Sequence, residues 1–196
     1  MTKKTLPQSI FRVAIGTGLL LLIPLAAKLI TDEMQWDETD FIVMGILLFS
    51  TGLAFTLVAR QSSNLVYKTA VGVALFTALF LVWSNAAVGI IGSEDNVENL
   101  MYFGVVFVLI ISSFIARFNP KGMAYALIAT ALAQALTIII ALLSGMQHFP
   151  ESSVYEIIMV NGFFITLYSV SAGLFWMAAE EGNGTDVEAS AESSQQ

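Results

Sequence analysis

The chain lacks cysteine, contains one histidine and carries few charges, and each shortage excludes a class of protein. Without cysteine there is no disulfide framework, thiolate metal site, thiol nucleophile or lipid attached to sulfur. One histidine, His148, builds a metal site only where several carboxylates converge on it, and the sequence shows no such convergence. We therefore expect no metal and no cofactor. Charged residues form 12% of the chain, against about 25% in soluble domains, so water does not surround most of this chain.

The residues that replace them are apolar, at 57% of the sequence. They form six runs, and each is close in length to the roughly 20 residues that a membrane-spanning helix needs. The predicted helices cover about 10–30, 41–59, 66–92, 100–116, 123–144 and 157–179. The sequence thus predicts an all-α membrane protein, in which residues 10–179 form a six-transmembrane-helix bundle after a cytoplasmic segment, 1–9.

The composition changes at Glu180 to Gly, Ser, Glu, Asn and Gln without apolar periodicity. Such a segment has too little apolar surface to fold by itself, which predicts a disordered acidic tail over 180–196. The net charge of -7 comes from acidic residues in this tail and in the loops on the outer side. We expect the lipid bilayer as the surrounding partner and no nucleic acid.

Lysine and arginine set the orientation, because basic residues in short loops are retained on the cytoplasmic side. With the N-terminus inside, seven of the eight basic residues lie inside and only Lys28 lies outside. The seven are Lys3, Lys4, Arg12, Arg60, Lys68, Arg117 and Lys121. Both termini are therefore predicted to be cytoplasmic.

A secretory signal peptide is the alternative interpretation of the N-terminus. Lys3 and Lys4 precede an apolar stretch that ends in the small residues Ala26 and Ala27, as a cleavable signal would. That stretch is long for a signal, and Lys28 would directly follow the cut. A first spanning helix is the favoured interpretation.

A faint internal repeat groups the six helices into hairpins. Residues 12–19, 68–75 and 125–132 share a polar anchor, small residues and a final leucine. Gly45, Gly104 and Gly162 lie at matching depths in the returning helices. Three repeated helical hairpins would produce this pattern, but so would small residues placed wherever two helices touch in lipid.

The loop after helix three is rich in side-chain oxygen. Its side chains could together bind Ca²⁺ or Mg²⁺, which prefer oxygen ligands; they are Glu94, Asp95, Asn96, Glu98 and Asn99. The spacing matches no calcium loop, so a solvated acidic loop is favoured, in which Asp95 or Asn96 caps helix four.

Polar side chains within the spans are the other candidate site residues. With helix three extended to Gly92, Trp83 and Asn85 lie below the interface, Asn85 by about 10 Å. Asn85, Gln134 and Asn161 each need a hydrogen-bond partner there, and a neighbouring helix is favoured over a ligand.

Lys28 is the only outer basic residue, and it lies near the end of its helix. Its side chain can extend to the interface or pair with Asp32 one turn later, and either would account for a lysine here without a functional role. A bond to Glu94 or Asp95, tying the first hairpin to the second, is the alternative.

The sequence contains no catalytic motif or triad, and we expect no enzyme. The stretches 83–102, 116–124 (ARFNPKGMA) and 129–136 (ATALAQAL) resemble a family of small uncharacterised bacterial multi-pass inner-membrane proteins. The resemblance covers helices three to five and implies the bacterial cytoplasmic membrane, with no catalytic residues to transfer.

Two functions follow as hypotheses. The leading one is a non-enzymatic inner-membrane protein that acts through helix contacts in a homo-oligomer or with other membrane proteins. The alternative is a small channel or transporter for an uncharged or weakly polar solute, lined by Asn85, Gln134 and Asn161.

Reporter fusions test the predicted topology. A reporter joined near residue 62 is expected in the cytoplasm, and one joined near residue 148 on the opposite side, because the basic loops stay inside. Paired cytoplasmic and extracytoplasmic reporter activities measure this. Both fusions in one compartment would contradict the six-span arrangement.

Overall fold

The computed structural model describes residues 6–31, 36–92, 96–149 and 152–193, with side chains up to residue 182. The six helices are α1 Leu6–Ile30, α2 Glu38–Val58, α3 Leu65–Ala87, α4 Met101–Ile115, α5 Pro120–Leu143 and α6 Val154–Ser193. Short 3-10 turns lie at Ala59–Gln61, Val97–Leu100 and Met146–His148. Within the described ranges, six helical segments are long and apolar enough to cross a membrane, which confirms the predicted all-α six-helix membrane fold.

Side-chain caps define where several helices begin. Asp37 and Asp40 form a reciprocal capping box at α2, and Asn64 accepts a hydrogen bond from the Tyr67 N–H at α3. Asn119 caps α5 through the Gly122 N–H at 2.7 Å, with Pro120 at the first helical position. These caps satisfy backbone N–H groups that a helix start leaves unpaired.

Two helix ends differ from the sequence-based prediction. α3 ends at Ala87, five residues before Gly92, because Gly89 and Gly92 adopt positive φ angles of 71° and 66° that break the helix. The backbone of α6 continues to Ser193, where the sequence predicts a disordered tail from residue 180. No proline follows Pro150, and four of the residues from 180 to 193 are glutamates, which favour helix.

The chain divides into two compact units, Met1–Arg60 and Gln61–Gln196. In the first, α1 packs against α2, and neither helix contains a buried residue. Glycine is required at the contact: a Cβ at Gly52 would lie 2.8 Å from Val13 Cγ1. This unit is a hairpin without a core of its own.

The second unit is a four-helix bundle. α5 packs along both α4 and α6, α6 also packs along α3, and α3 touches α4 over a much shorter length. The hairpins α3–α4 and α5–α6 are therefore unequal, and the three repeated hairpins are not confirmed. The buried residues of the described chain, apart from Ala59, belong to this unit.

Two hydrogen bonds join α3 to its neighbours at one end of the bundle, the end where the α4–α5 loop lies. Ser171 Oγ on α6 donates to the Ala70 carbonyl at 2.9 Å. The Tyr67 hydroxyl donates to the Phe118 carbonyl at 2.6 Å. Phe118 and its neighbour Arg117 have φ angles of 57° and 50°, a left-handed conformation that costs about 1–2 kcal/mol per residue. Tyr67 therefore braces a strained turn.

Candidate functional site

A buried polar cluster lies in the bundle, and it contains two of the residues predicted from sequence. Gln134 on α5 and Asn161 on α6 are both completely buried. Thr137 on α5 and Tyr102 on α4 join them, at 4% and 1% exposure. The cluster thus draws side chains from three helices.

The side-chain amide of Asn161 is the centre of the cluster. Its Oδ1 accepts a hydrogen bond from Gln134 Nε2 at 2.7 Å. Its Nδ2 donates to the Tyr102 hydroxyl at 3.2 Å and to the Ile157 carbonyl at 2.7 Å. The single proton of the Thr137 hydroxyl has two acceptors within reach, Asn161 Oδ1 at 2.9 Å and the Gln134 carbonyl at 2.7 Å. Asn161 thereby joins α4, α5 and α6.

The helix period explains why these residues converge. The buried positions of α5 recur three and four residues apart, and Thr130, Gln134 and Thr137 lie among them on one face. On α6, Ile157 and Asn161 are one turn apart and both are buried. An interhelical hydrogen bond in a membrane protein contributes about 0.6 kcal/mol on average, up to about 1.7, so this arrangement chiefly stabilises the bundle.

Four buried oxygen atoms in the bundle have no hydrogen-bond partner among the described residues. They are Asn85 Oδ1 on α3, Gln134 Oε1 on α5, Gln147 Oε1 in the turn before α6 and the Tyr168 hydroxyl on α6. An unpaired buried polar group costs about 1–3 kcal/mol. The bundle interior therefore retains capacity for further hydrogen bonds beyond those that the side chains make with each other.

Asn85 does not belong to the Asn161 cluster. Because α3 ends at Ala87, Asn85 lies in the last helical turn rather than about two turns from the end. It is nevertheless buried, at 5% exposure. Trp83 lies on the surface, at 39% exposure, and its ring stacks on Phe80.

Asn96 and Asn99 organise the loop between α3 and α4. Asn99 Oδ1 accepts from the N–H groups of Ile90 and Ile91 at 3.1 and 3.0 Å, and its Nδ2 donates to the Ile91 carbonyl. Asn96 caps the 3-10 turn through the N–H of Glu98. Both amides are engaged with backbone, which is a structural role.

The acidic loop hypothesis stays a prediction, because Glu94 and Asp95 lie outside the described residues. Over the part of the chain that the structure describes, no three His, Asp or Glu side chains come close enough to hold a metal ion. Lys28 donates a hydrogen bond to the Trp36 carbonyl and lies 5.8 Å from the centre of the Phe41 ring. Its predicted partner Asp32 also lies outside the described residues.

Sequence reasoning missed Thr137, Tyr102 and Ser152. Thr137 follows Gln134 by three residues, a spacing that places both on one helix face and could have revealed it. Tyr102 lies where an interfacial tyrosine is common, so its burial gave no signal. Ser152 Oγ accepts from the Gly92 N–H at 2.6 Å across 60 residues of sequence, a contact that no local pattern predicts.

Comparison with models of known protein families, with curated proteins and with solved structures finds no match. The resemblance noted in the sequence therefore remains a prediction, and the function must be argued from the geometry.

Removing the central amide tests the cluster. Asn161→Leu is expected to lower the free energy of unfolding by about 1–2 kcal/mol, because Gln134 and Tyr102 lose a buried partner. Gln134→Leu and Asn161→Leu together are expected to cost less than the sum of the single changes, since both polar partners leave at once. Unfolding of the purified protein in detergent measures both effects.

Asn85→Leu is the matched control, because Asn85 Oδ1 has no described partner. We expect it to be neutral or stabilising, because it removes a buried oxygen that has no hydrogen-bond partner. The assignment of Asn161 as the centre of the cluster would be contradicted if the losses in unfolding free energy at Gln134 and Asn161 were strictly additive. It would also be contradicted if Asn85→Leu lowered that free energy as much as Asn161→Leu.

Proposed function

We propose that this is a non-enzymatic integral membrane protein that acts through helix contacts, with further copies of itself or with other membrane proteins. The observation that carries the proposal is the open space beside glycines in the spans. A Cβ added at Gly16, Gly18, Gly104 or Gly162 would meet no described heavy atom within 4 Å. No close packing among the described residues calls for glycine at these positions.

Glycine in a helix interior is destabilising by about 0.5–1 kcal/mol relative to alanine. At Gly52 the close approach of Val13 explains it. At the four open positions, no neighbour in the described chain explains why the residue is glycine. In lipid, helices associate where small residues let backbones approach, so the open glycines mark surfaces suited to an external helix.

The hairpin α1–α2 is the strongest candidate for the contacting element. Its two helices are long enough to span the membrane and contain no buried residue. Gly16 and Gly18 occur in its first helix, eight residues or fewer before Pro24. A hairpin without a core is free to dock as a whole against another membrane helix.

The proposal includes the bacterial cytoplasmic membrane, with both termini in the cytoplasm. The membrane is the one that the sequence resemblance implies. The orientation is supported by the basic residues, since seven of eight fall on one side when the six spans are traced through the membrane. Lys28, at the end of α1, is the exception.

Cysteine cross-linking in native membranes tests the contact function, because the chain has no cysteine of its own. We expect Gly16→Cys or Gly18→Cys to give covalent adducts several-fold above Gly45→Cys. The Gly45 position is the matched control, since its Cβ would face Leu21 within the hairpin at 3.4 Å. Gels run without reductant separate a dimer from an adduct with another protein. Equal yields at all three positions would count against the proposal.

Solute passage is the second candidate function, and the unpartnered oxygens favour it. Asn85 lies two residues from the end of α3, whereas Tyr168 lies 14 residues from the start of α6, about 21 Å along that helix. Polar atoms spaced through the bundle could hydrogen-bond to water or a small uncharged solute. The direct Gln134–Asn161 bond opposes this candidate, because it joins the helices where a pathway would need space.

Flux into liposomes decides between the two candidates. If solute passes, water, glycerol or urea should enter vesicles containing the protein faster than protein-free vesicles, and Asn85→Leu should reduce the rate several-fold. Thr69→Val, an exposed position on the same helix, is the control. No flux above protein-free vesicles for any of the three solutes would remove the transport candidate.

A further inference from the structure

An open groove of about 410 Å³ lies between α5 and α6. Small side chains form much of its lining, namely Ala131 and Ala135 on α5 and Ser169, Ala172 and Gly173 on α6. Trp176 lines it as well, and the groove is almost entirely apolar. We call it the α5–α6 groove. Both helices meet the length and apolarity of membrane spans, so the groove faces hydrocarbon.

The groove becomes polar and cationic beside Trp176. Lys121 Nζ lies 6.0 Å from the centre of the Trp176 ring, and Tyr125 packs edge-on against that ring at 5.8 Å. The indole N–H donates to Glu180 at 2.9 Å. Tryptophan, tyrosine and lysine together are typical of the level at which lipid headgroups lie.

Lys121 supplies a positive charge beside the groove. It makes no ion pair with any residue whose side chain the structure describes. It lies in the first turn of α5, which contains no acidic residue. The positive end of the helix dipole therefore adds to its charge. Glu180 is the opposing charge nearby, and one of its oxygens is engaged by the indole.

We propose that the α5–α6 groove binds one anionic phospholipid, with an acyl chain along the small residues and the phosphate beside Lys121. The dimensions fit, since Lys121 and Ala135 are 14 residues apart, about 21 Å along α5. Half of a bilayer, with its headgroup region included, is about 20–22 Å deep. A chain that fills the groove thus leaves its headgroup level with the ammonium group.

Quenching of Trp176 fluorescence by brominated lipids tests this site in the full-length protein. Trp36→Phe and Trp83→Phe leave Trp176 as the one tryptophan. We expect brominated phosphatidylglycerol to bind with about fivefold preference over brominated phosphatidylcholine, the factor expected for one lysine at an anionic surface. Lys121→Gln should reduce the preference to about one, whereas Lys68→Gln, a cation at the start of α3, should leave it unchanged.

A second pair of variants tests the groove itself. A Cβ at Gly173 has no described heavy atom within 4 Å, so the side chain of Gly173→Leu can enter the groove and should weaken quenching by both lipids. Val160→Phe, an exposed position on the same helix outside the lining, should not. Equal quenching by the two lipids, or no effect of Lys121→Gln, overturns the proposal. So does a Gly173→Leu protein that keeps its quenching but loses oligomers in native mass spectrometry, since the occupant is then a helix of a second copy.

Discussion

Hydrocarbon offers no hydrogen bonds, and this constraint governs the bundle α3–α6. A polar side chain inside it must find its partners within the protein. Asn161 meets that demand with side chains from α4 and α5 and with a carbonyl of its own helix. Rotating α6 by one residue would turn the amide by about 100° and remove these partners. The position of one amide thus fixes how three helices face each other.

The same constraint applies around α3, but there the polar side chains bond to backbone carbonyls rather than to each other. Ser171 and Tyr67 bond to carbonyls, one on α3 and one in the turn before α5. Tyr67 also packs edge-on against Phe175. Polar contacts at separate depths therefore replace the hydrophobic drive that would hold such helices together in water.

The sequence was most informative where one physical signal dominates. Apolar length located all six spans, and the need of Gln134 and Asn161 for partners indicated that they would pair across helices, as they do. The ends of helices were harder to predict. α3 stops where two glycines adopt positive φ, and α6 continues through a segment that has no apolar periodicity to indicate a helix. The pairing of Gly92 with Ser152 was beyond prediction, because it depends on which helices become neighbours.

The bonds that span long stretches of sequence have a consequence for biogenesis. The Gly92 N–H meets its acceptor 60 residues later, and the Ala70 carbonyl meets its donor 101 residues later. A nascent chain that has inserted only its first five helices holds Tyr102 and Gln134 in lipid without the amide that joins them. The sixth helix is thus the step that converts a loose set of inserted segments into a closed bundle. Until it arrives, these polar groups remain without the partners that the finished bundle gives them.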